Sequence, residues 1–217
     1  MPQKTPDVRR TACTEPTRPR RLVIGITGAT GAVIGVRALE VLADLPVETH
    51  LVISRWGRAT IATETGRSVR DVQALADVTY DDTDQFAAIA SGSYPMDGML
   101  VAPCSMRTLA ALRAGLGDTL LTRAADVTLK ERRRLVVVAR EAPLSRIHLE
   151  NMLALTDAGA VVLPPVLAFY GQPSSIDALI DHVVHRALDQ FGIAVEGAER
   201  WTGLAGQRKG THDHALR

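Results

Sequence analysis

Short apolar runs alternate with segments of helical period between about residue 21 and residue 191. Five runs are continuous and rich in Val, Ile, Leu and Ala, which is typical of strands buried on both faces of a parallel sheet. They span residues 22–26, 49–53, 98–102, 135–139 and 160–163. Between and after them, apolar residues recur with the spacing of amphipathic helices. Helices are predicted at 33–44, 56–65, 70–77, 84–90, 107–113, 119–132, 145–157 and 175–191.

This alternation predicts an α/β fold: a doubly wound parallel sheet of the Rossmann-like or flavodoxin-like kind, with helices on both faces. The chain has 217 residues, 46% of them hydrophobic, which suffices for one sizeable core. A single domain is therefore predicted at 21–201. Residues 1–20 are rich in Pro, Thr and Arg and are expected to form a disordered lead. Residues 202–217 form a C-terminal tail without periodicity.

Composition narrows the classes of function. Lys and Arg number 25 against 24 Asp and Glu, so no strong positive field favours nucleic acid. The two cysteines, Cys13 and Cys104, form neither a disulfide framework nor a metal-ligand cluster, so a reducing cytoplasm and no bound metal are predicted. No run approaches the roughly 18 apolar residues that a membrane span needs. Neither nucleic acid nor a membrane is expected as a partner.

The first predicted strand runs into a turn of small residues, TGATGA at 27–32. Ligands of doubly wound sheets bind beyond the carboxyl ends of the strands, and small residues there let backbone amides approach a phosphate. The turn is neither the dinucleotide GxGxxG nor the Walker GxxxxGK[ST] motif. The sequence therefore predicts a phosphate cradle, although the same residues also suit a plain strand-to-helix turn.

Polar residues follow the other predicted strands as well. Ser54 ends the second strand, and residues 103–108 after the third carry hydroxyls that suit a phosphate or the polar edge of a flavin. Cys104 lies among them without a histidine nearby in sequence, so a packed, inert thiol is expected. Arg140 and Glu141 follow the fourth strand, and a charged pair there indicates a ligand site.

Two further segments allow alternative interpretations. Arg123 and Lys130 are seven residues apart, hence on one face of a helix, where two cations can face one anion. The alternative is a solvated helix with pairs such as Asp126 with Lys130. The loop at 164–170, which holds two prolines, Phe169 and Tyr170, would either cover an apolar ligand or plug the core. The histidines are interpreted as structural, because they lack the company of a metal site.

Five motifs in this order resemble the UbiX family of flavin prenyltransferases over roughly residues 21–204. They are TGATGA, VAPCSMRTLA, RAADVTLKERR, REAPLSRIHLENM and LPPVLAFY, followed by Arg200-Trp201. The likeness is greatest to the branch of the family that is encoded beside phenolic-acid decarboxylases. It implies a Rossmann-like, flavodoxin-order fold, a homododecamer and bound FMN. It also implies metal-independent transfer of a dimethylallyl group from dimethylallyl monophosphate to N5 and C6 of reduced FMN, the product being passed to a UbiD-type aromatic acid decarboxylase.

Roles are carried over to the matching positions. The implied flavin contacts are Gly28, Ala29, Thr30, Ser54, Ser105, Met106, Thr108 and Arg140. The residues implied to hold the prenyl phosphate, some from neighbouring subunits, are Lys130, Arg140, Tyr170 and Arg186, with Arg123 nearby. Glu64, the family's acidic residue after the second strand, is a further implied substrate-binding residue. Among the catalytic residues, Glu141 is assigned to proton transfer with Thr30 as relay, Lys130 to the leaving phosphate and Trp201 to the allyl group. Thr30 replaces the family's usual serine and keeps its hydroxyl.

Two other functions remain open from the sequence. A flavin-dependent decarboxylase of the phosphopantothenoylcysteine type shares the expected fold, but it uses a histidine after the second strand and an Asn-containing loop. This chain has Trp56 and Cys104-Ser105-Met106 in those regions, which favours prenyl transfer. A flavin-carrying accessory subunit of a phenolic acid decarboxylase would instead co-purify with its partner at fixed stoichiometry and not turn over dimethylallyl phosphate.

Overall fold

A computed structural model describes residues 18–201 and 203 and contains one sheet with helices on both sides. Its strands are β1 Arg20–Ile26, β2 Val47–Ile53, β3 Val78–Tyr80, β4 Gly98–Cys104, β5 Arg134–Ala139 and β6 Val161–Val162. Its helices are α1 Ala32–Ala43, α2 Arg55–Glu64, α3 Val69–Gln73, α4 Met106–Ala114, α5 Leu120–Lys130, α6 Arg146–Asp157 and α7 Ile176–Asp189. Most of the predicted disordered lead and C-terminal tail lies outside the described residues, so the expectations about both ends stay predictions.

The six strands are parallel and have the order β3-β2-β1-β4-β5-β6. This is the Rossmann order, and without the three-residue edge strand β3 it becomes the flavodoxin order. The predicted fold class is therefore confirmed. None of the described helices is long and apolar enough to cross a membrane.

Two sequence-based expectations about elements were wrong. The apolar runs do not predict strand β3, because this edge strand of three residues has no continuous apolar run. The helix expected at 84–90 is only a 3₁₀ turn at Ala88–Ala90. Phe86 in that segment is fully exposed and only Ala87 and Ile89 are buried, so no apolar face exists to hold a longer helix against the sheet.

Two apolar layers enclose the sheet. Buried side chains of α1 and α7, such as Leu39 and Leu188, pack on one face together with Ile24 of β1. Side chains of α4, α5 and α6, such as Leu109 and Leu121, pack on the other face. Each strand thus contributes alternate residues to opposite layers, as expected for a sheet covered on both sides.

A half-buried polar cluster surrounds the buried side chain of His50 on one face of the sheet. His50 of β2 is 1% exposed, and its ring nitrogens contact the Tyr80 hydroxyl and a Glu48 carboxylate oxygen, both at 2.9 Å. The Arg21 Nε donates to the other Glu48 oxygen at 3.0 Å, and its guanidinium lies over the Tyr94 ring. Burial lowers the pKa of His50, and the hydrogen bond with Glu48 offsets only part of that effect.

We therefore expect the free energy of unfolding to fall as pH decreases below about 6.5, the ordinary histidine pKa. Below that pH the unfolded chain binds a proton that folded His50 takes up only at lower pH, so acid favours unfolding. Asp77 and Glu48 raise the pKa of His50 and so reduce the loss of stability in acid, whereas Arg21 lowers this pKa and increases that loss. Urea unfolding of His50→Gln between pH 5 and 7.5 should give a flatter pH dependence. An unchanged slope would contradict the prediction. Burial also lowers the pKa of His185, so a His185→Gln variant measures the contribution of that histidine separately.

Candidate active site

The loops after β1 and β4 flank a crevice, because the strand order reverses between these two strands. Thr27, 1% exposed, joins the loops: its Oγ1 donates to the Pro103 carbonyl at 2.8 Å and accepts from the Ser105 amide at 2.8 Å. Thr27 was not predicted to have a role of its own. Its partners are more than 70 residues away, so no local signal could have identified it.

Three helices begin at this crevice. Helix α1 starts after Gly31, whose φ is 100°, and α2 starts at Ser54, whose side chain accepts from the Gly57 amide at 3.1 Å. Helix α4 starts at Ser105, which accepts from the Thr108 amide at 3.3 Å and pairs with the Thr108 hydroxyl at 3.0 Å. Unpaired amides and the helix dipole make such ends suitable for anions. The predicted residues after three different strands are thus brought together.

The start of α1 holds an anion from the chain itself. The Glu64 carboxylate accepts from the amides of Gly31 and Ala32 at 2.8 and 3.0 Å and from the Thr30 hydroxyl. The prediction that these amides cradle a phosphate therefore needs correction, because in this structure they bind Glu64. No sequence pattern indicated this contact, since Glu64 lies at the far end of α2. The N-termini of α2 and α4 remain for an external anion.

The crevice is suited to a flavin nucleotide. A Cβ added to Gly28 would collide with the Cβ of Trp56, so only glycine allows the first turn to lie against α2. The hydroxyls of Ser54, Ser105 and Thr108 are half-buried, and Met106 beside them is also half-buried. Among the described residues, the Arg140 guanidinium has no ion-pair partner. Hydroxyls, helix N-termini and an unpaired cation together fit the phosphate and polar groups of FMN.

Arg140 and Glu141 border the same crevice. The Arg140 amide donates to the Cys104 carbonyl at 3.1 Å, which places the end of β5 beside the end of β4. The exposed Glu141 carboxylate accepts from the Ala142 amide at 3.0 Å. Cys104 is fully buried, and burial raises the pKa of its thiol to about 12, in agreement with the expected inert thiol. We call Thr30, Ser54, Glu64, Ser105, Thr108, Arg140 and Glu141 the strand-end group.

Arg123 and Lys130, the α5 pair, are not both near the crevice. Lys130 ends α5 beside Gly92, at the edge where the strands begin. The six residues of β5 separate it from Arg140 by about 20 Å. Lys130 pairs with Glu131, whereas the Arg123 guanidinium donates to Asp126 at 2.8 Å and to the Ala90 carbonyl at 3.1 Å. The alternative Asp126–Lys130 pair is not formed, because Asp126 binds Arg123.

A third group lies beside α7. The Tyr170 ring meets the rings of His182 and Trp201 edge-on, with centroids 5.5 and 5.6 Å away. Arg186, one turn beyond His182, donates to Asp189 at 2.8 Å. We call Tyr170, Arg186 and Trp201 the α7 group. Because Lys130 and Arg140 are about 20 Å apart, the residues expected around one prenyl phosphate do not all meet within a single chain.

Comparison with known proteins agrees with this geometry. The family model described as Flavoprotein matches residues 10–188. The probable UbiX-like flavin prenyltransferase of Bacillus subtilis (strain 168) is 56% identical over 190 residues, covering 88% of this chain and 93% of that protein. The crystal structure of AnUbiX (PadA1) with FMN and dimethylallyl pyrophosphate has a TM-score of 0.85 at 55% identity, covering 86% of this chain and 99% of that one.

A second solved structure matches as well. The dodecameric FMN-dependent UbiX-like decarboxylase from Escherichia coli O157:H7 has a TM-score of 0.83 at 56% identity, covering 84% of this chain and all of that one. These identities extend over nearly the whole of each related protein, so they concern the entire domain and not one motif. The chain therefore belongs to the flavoprotein family of UbiX-like flavin prenyltransferases.

Proposed function

We propose that this chain transfers a dimethylallyl group from dimethylallyl monophosphate to reduced FMN to make prenylated FMN. The observation that carries the proposal is the strand-end group. Hydroxyls, helix N-termini and Arg140 surround the crevice, and two carboxylates, Glu64 and Glu141, lie at its rim. The high identity to flavin prenyltransferases supports the same reaction.

Cations of the chain are assigned to the phosphate that leaves. Breaking the allylic C–O bond puts negative charge on the phosphate oxygens and positive charge on the allyl carbons. Lys130, Arg140 and Arg186 stabilise the oxygens, and each fixed donor in such a site contributes about 3 kcal/mol. The faces of Tyr170 and Trp201 stabilise the allyl cation by about 0.5–2 kcal/mol each and exclude water. Reduced FMN supplies the nucleophilic nitrogen and carbon to which the allyl group is joined.

Carboxylates of the chain are assigned to proton transfer. Glu141 follows β5 at the crevice and, within the described residues, makes only one hydrogen bond, with its neighbour's amide. It is free to accept and return a proton. The Thr30 hydroxyl already donates to Glu64, so it provides a relay between the crevice and a second carboxylate. General acid–base catalysis of this kind contributes about 10²–10⁴-fold.

The separation of Lys130 from Arg140 supports assembly of the site from several chains. Lys130 lies about 20 Å from Arg140 within one chain, too far for both to contact one phosphate. A closed symmetric oligomer brings different surfaces of identical chains together. We infer that neighbouring subunits complete each site in a homododecamer, as the dodecameric relative supports.

Two further assignments rest on the family resemblance. The acceptor of the product is proposed to be a UbiD-type aromatic acid decarboxylase, and the chain is proposed to act in the cytoplasm. If it were only an accessory flavin carrier, it would bind FMN and the decarboxylase at fixed stoichiometry without consuming dimethylallyl phosphate. Turnover of dimethylallyl phosphate therefore separates these functions.

The decisive experiment incubates the purified full-length chain with reduced FMN and either dimethylallyl monophosphate or the diphosphate. Mass spectrometry of the released flavin should show the mass of one added dimethylallyl group, with the monophosphate preferred. Isopentyl monophosphate is the control, because its saturated chain cannot stabilise an allyl cation and should not react. FMN binding without a prenylated product from either donor would refute the proposed function.

A further inference from the structure

The chain beyond α7 turns back along that helix. We call residues 190–201 the C-terminal strap. Ile193 is buried and Val195 packs against the core, so the first part of the strap is anchored by apolar contacts. Its end, Arg200 and Trp201, returns to the last turn of α7 and to Tyr170.

Asp189, the last residue of α7, fastens the end of the strap. Its side chain is 15% exposed and accepts three charge-assisted hydrogen bonds. Arg200 binds both carboxylate oxygens, at 2.9 and 2.6 Å, and Arg186 donates to the first of them at 2.8 Å. Pairing with Arg200 is the main cause that lowers the pKa of Asp189. The Asp189 carboxylate thus binds two arginines, and its pair with Arg200 is bidentate, the geometry that makes arginine–carboxylate pairs strong.

The end of the strap determines what covers Tyr170. Arg200 directly precedes Trp201, whose ring lies edge-on against Tyr170. Glu199 lies so close to Gly171 that an added Cβ there would collide with its carboxylate. The strap is thus held by the Asp189–Arg200 pair directly before Trp201 and approaches the chain directly after Tyr170. The position of Trp201 therefore depends on an ion pair made by residues outside the assigned site.

We propose that Asp189 is a positioning residue of the prenyl site, and that its pairing with Arg200 both holds Trp201 on Tyr170 and keeps Arg186 exchangeable. This inference rests on the proposed function, in which Arg186 binds the phosphate of the prenyl donor. Arg186 must then leave Asp189 when the phosphate arrives. A mostly buried carboxylate left without a partner is costly, but Arg200 keeps Asp189 paired during the exchange.

The exchange predicts that the two members of one ion pair behave differently. In Arg200→Gln, Asp189 retains only Arg186, so Arg186 is held back from the phosphate. In Asp189→Asn, Arg186 is released. The KM for dimethylallyl monophosphate should rise about tenfold in Arg200→Gln and less than about threefold in Asp189→Asn. In both variants kcat should fall to a similar extent, because both release Trp201, and the KM for reduced FMN should stay constant.

The double variant Asp189→Asn/Arg200→Gln gives the sharpest result. It should have the KM of Asp189→Asn alone, because removing the carboxylate releases the arginine that Arg200→Gln had trapped. If the pair served only to hold the fold, both single variants would have the same KM and the double variant would not recover. Either of these results overturns the proposal. Asp189→Glu keeps a carboxylate, so its KM and kcat should stay close to the wild-type values.

The position of Trp201 is measured without turnover. In a Trp56→Phe background Trp201 is the only tryptophan, and its emission reports the strap. At equal flavin loading, Asp189→Asn and Arg200→Gln should both lower its fluorescence anisotropy. Asp181→Asn, which removes a different α7 ion pair, to Arg37, should not. Unchanged anisotropy in the Asp189 and Arg200 variants would refute the positioning of Trp201.

An Arg186→Ala variant separates the role of Asp189 from the role of Arg186 in the proposed function. Arg186→Ala should raise the KM for dimethylallyl monophosphate whether or not Asp189 acts as described. If Arg186→Ala raises this KM and the Asp189 and Arg200 variants behave alike, only the inference about Asp189 is wrong. If Arg186→Ala has no effect, the assignment of Arg186 to the phosphate is wrong.

Discussion

Replacing Lys130 with alanine is expected to lower kcat/KM for dimethylallyl monophosphate by about 10²–10³-fold, because a fixed cation no longer stabilises the leaving phosphate. FMN affinity should change less than twofold, since Lys130 is assigned to the prenyl phosphate and not to the flavin. Steady-state kinetics and FMN titration measure the two effects. Lys130→Arg keeps the charge and should retain part of the activity. Arg134→Ala, at the same edge of the sheet, is the control and should resemble wild type.

Mixed oligomers test whether that lysine acts on a neighbour's flavin. Glu141→Gln chains and Lys130→Ala chains, each nearly inactive alone, should regain activity when co-assembled. If a site takes Glu141 from one chain and Lys130 from another, equal mixing restores about a quarter of the sites. If both residues served the same chain's site, no mixed oligomer would contain an intact site and activity would not return. Equal losses of FMN and prenyl phosphate affinity in Lys130→Ala would also contradict its assignment.

The Glu141→Gln variant is expected to form prenylated FMN about 10³-fold more slowly while still folding, binding FMN and releasing phosphate. Phosphate departure needs the cations, whereas the later bond to carbon needs a proton to be removed. The amide of glutamine cannot take that proton at neutral pH. A single-turnover assay that follows free phosphate and final flavin product separately should therefore show an early release of phosphate without product.

Two controls accompany that variant. Glu141→Asp keeps a carboxylate and should recover part of the rate. Asp44→Asn removes an exposed acidic residue at the end of α1, where the strands begin, and should leave both measurements unchanged. Undiminished production of prenylated FMN by Glu141→Gln would remove Glu141 from the mechanism. Loss of phosphate release together with product would instead assign it to the first step.

Much of the fold follows from local pattern. Five of the six strands and seven of the eight predicted helices occur, because long buried strands and amphipathic helices impose their periods on the sequence. The exceptions lack such a period. Strand β3 has three residues at the edge of the sheet, and the segment at 84–90 buries only Ala87 and Ile89. Neither has enough apolar surface to mark its conformation locally.

The candidate site was predictable only in part. Residues that directly follow a strand, such as Ser54, Ser105, Arg140 and Glu141, could be assigned to one edge, because parallel strands end together. Hydrogen bonds between side chains and groups of distant elements could not be predicted in this way. Thr27 joins two loops, Glu64 binds the start of α1 from the end of α2, and Asp189 binds Arg200 across the strap. Their partners depend on how helices pack, which no local spacing encodes.

The sequence by itself determined the doubly wound sheet, the edge at which ligands bind and, through ordered motifs, the family. Only the tertiary structure decided that Glu64 occupies the α1 N-terminus and that Lys130 and Arg140 lie at opposite ends of β5. The physical reason is range. Periodicity and strand-end position are set by neighbouring residues, whereas the distance between two charged side chains is set by the packing of every element between them.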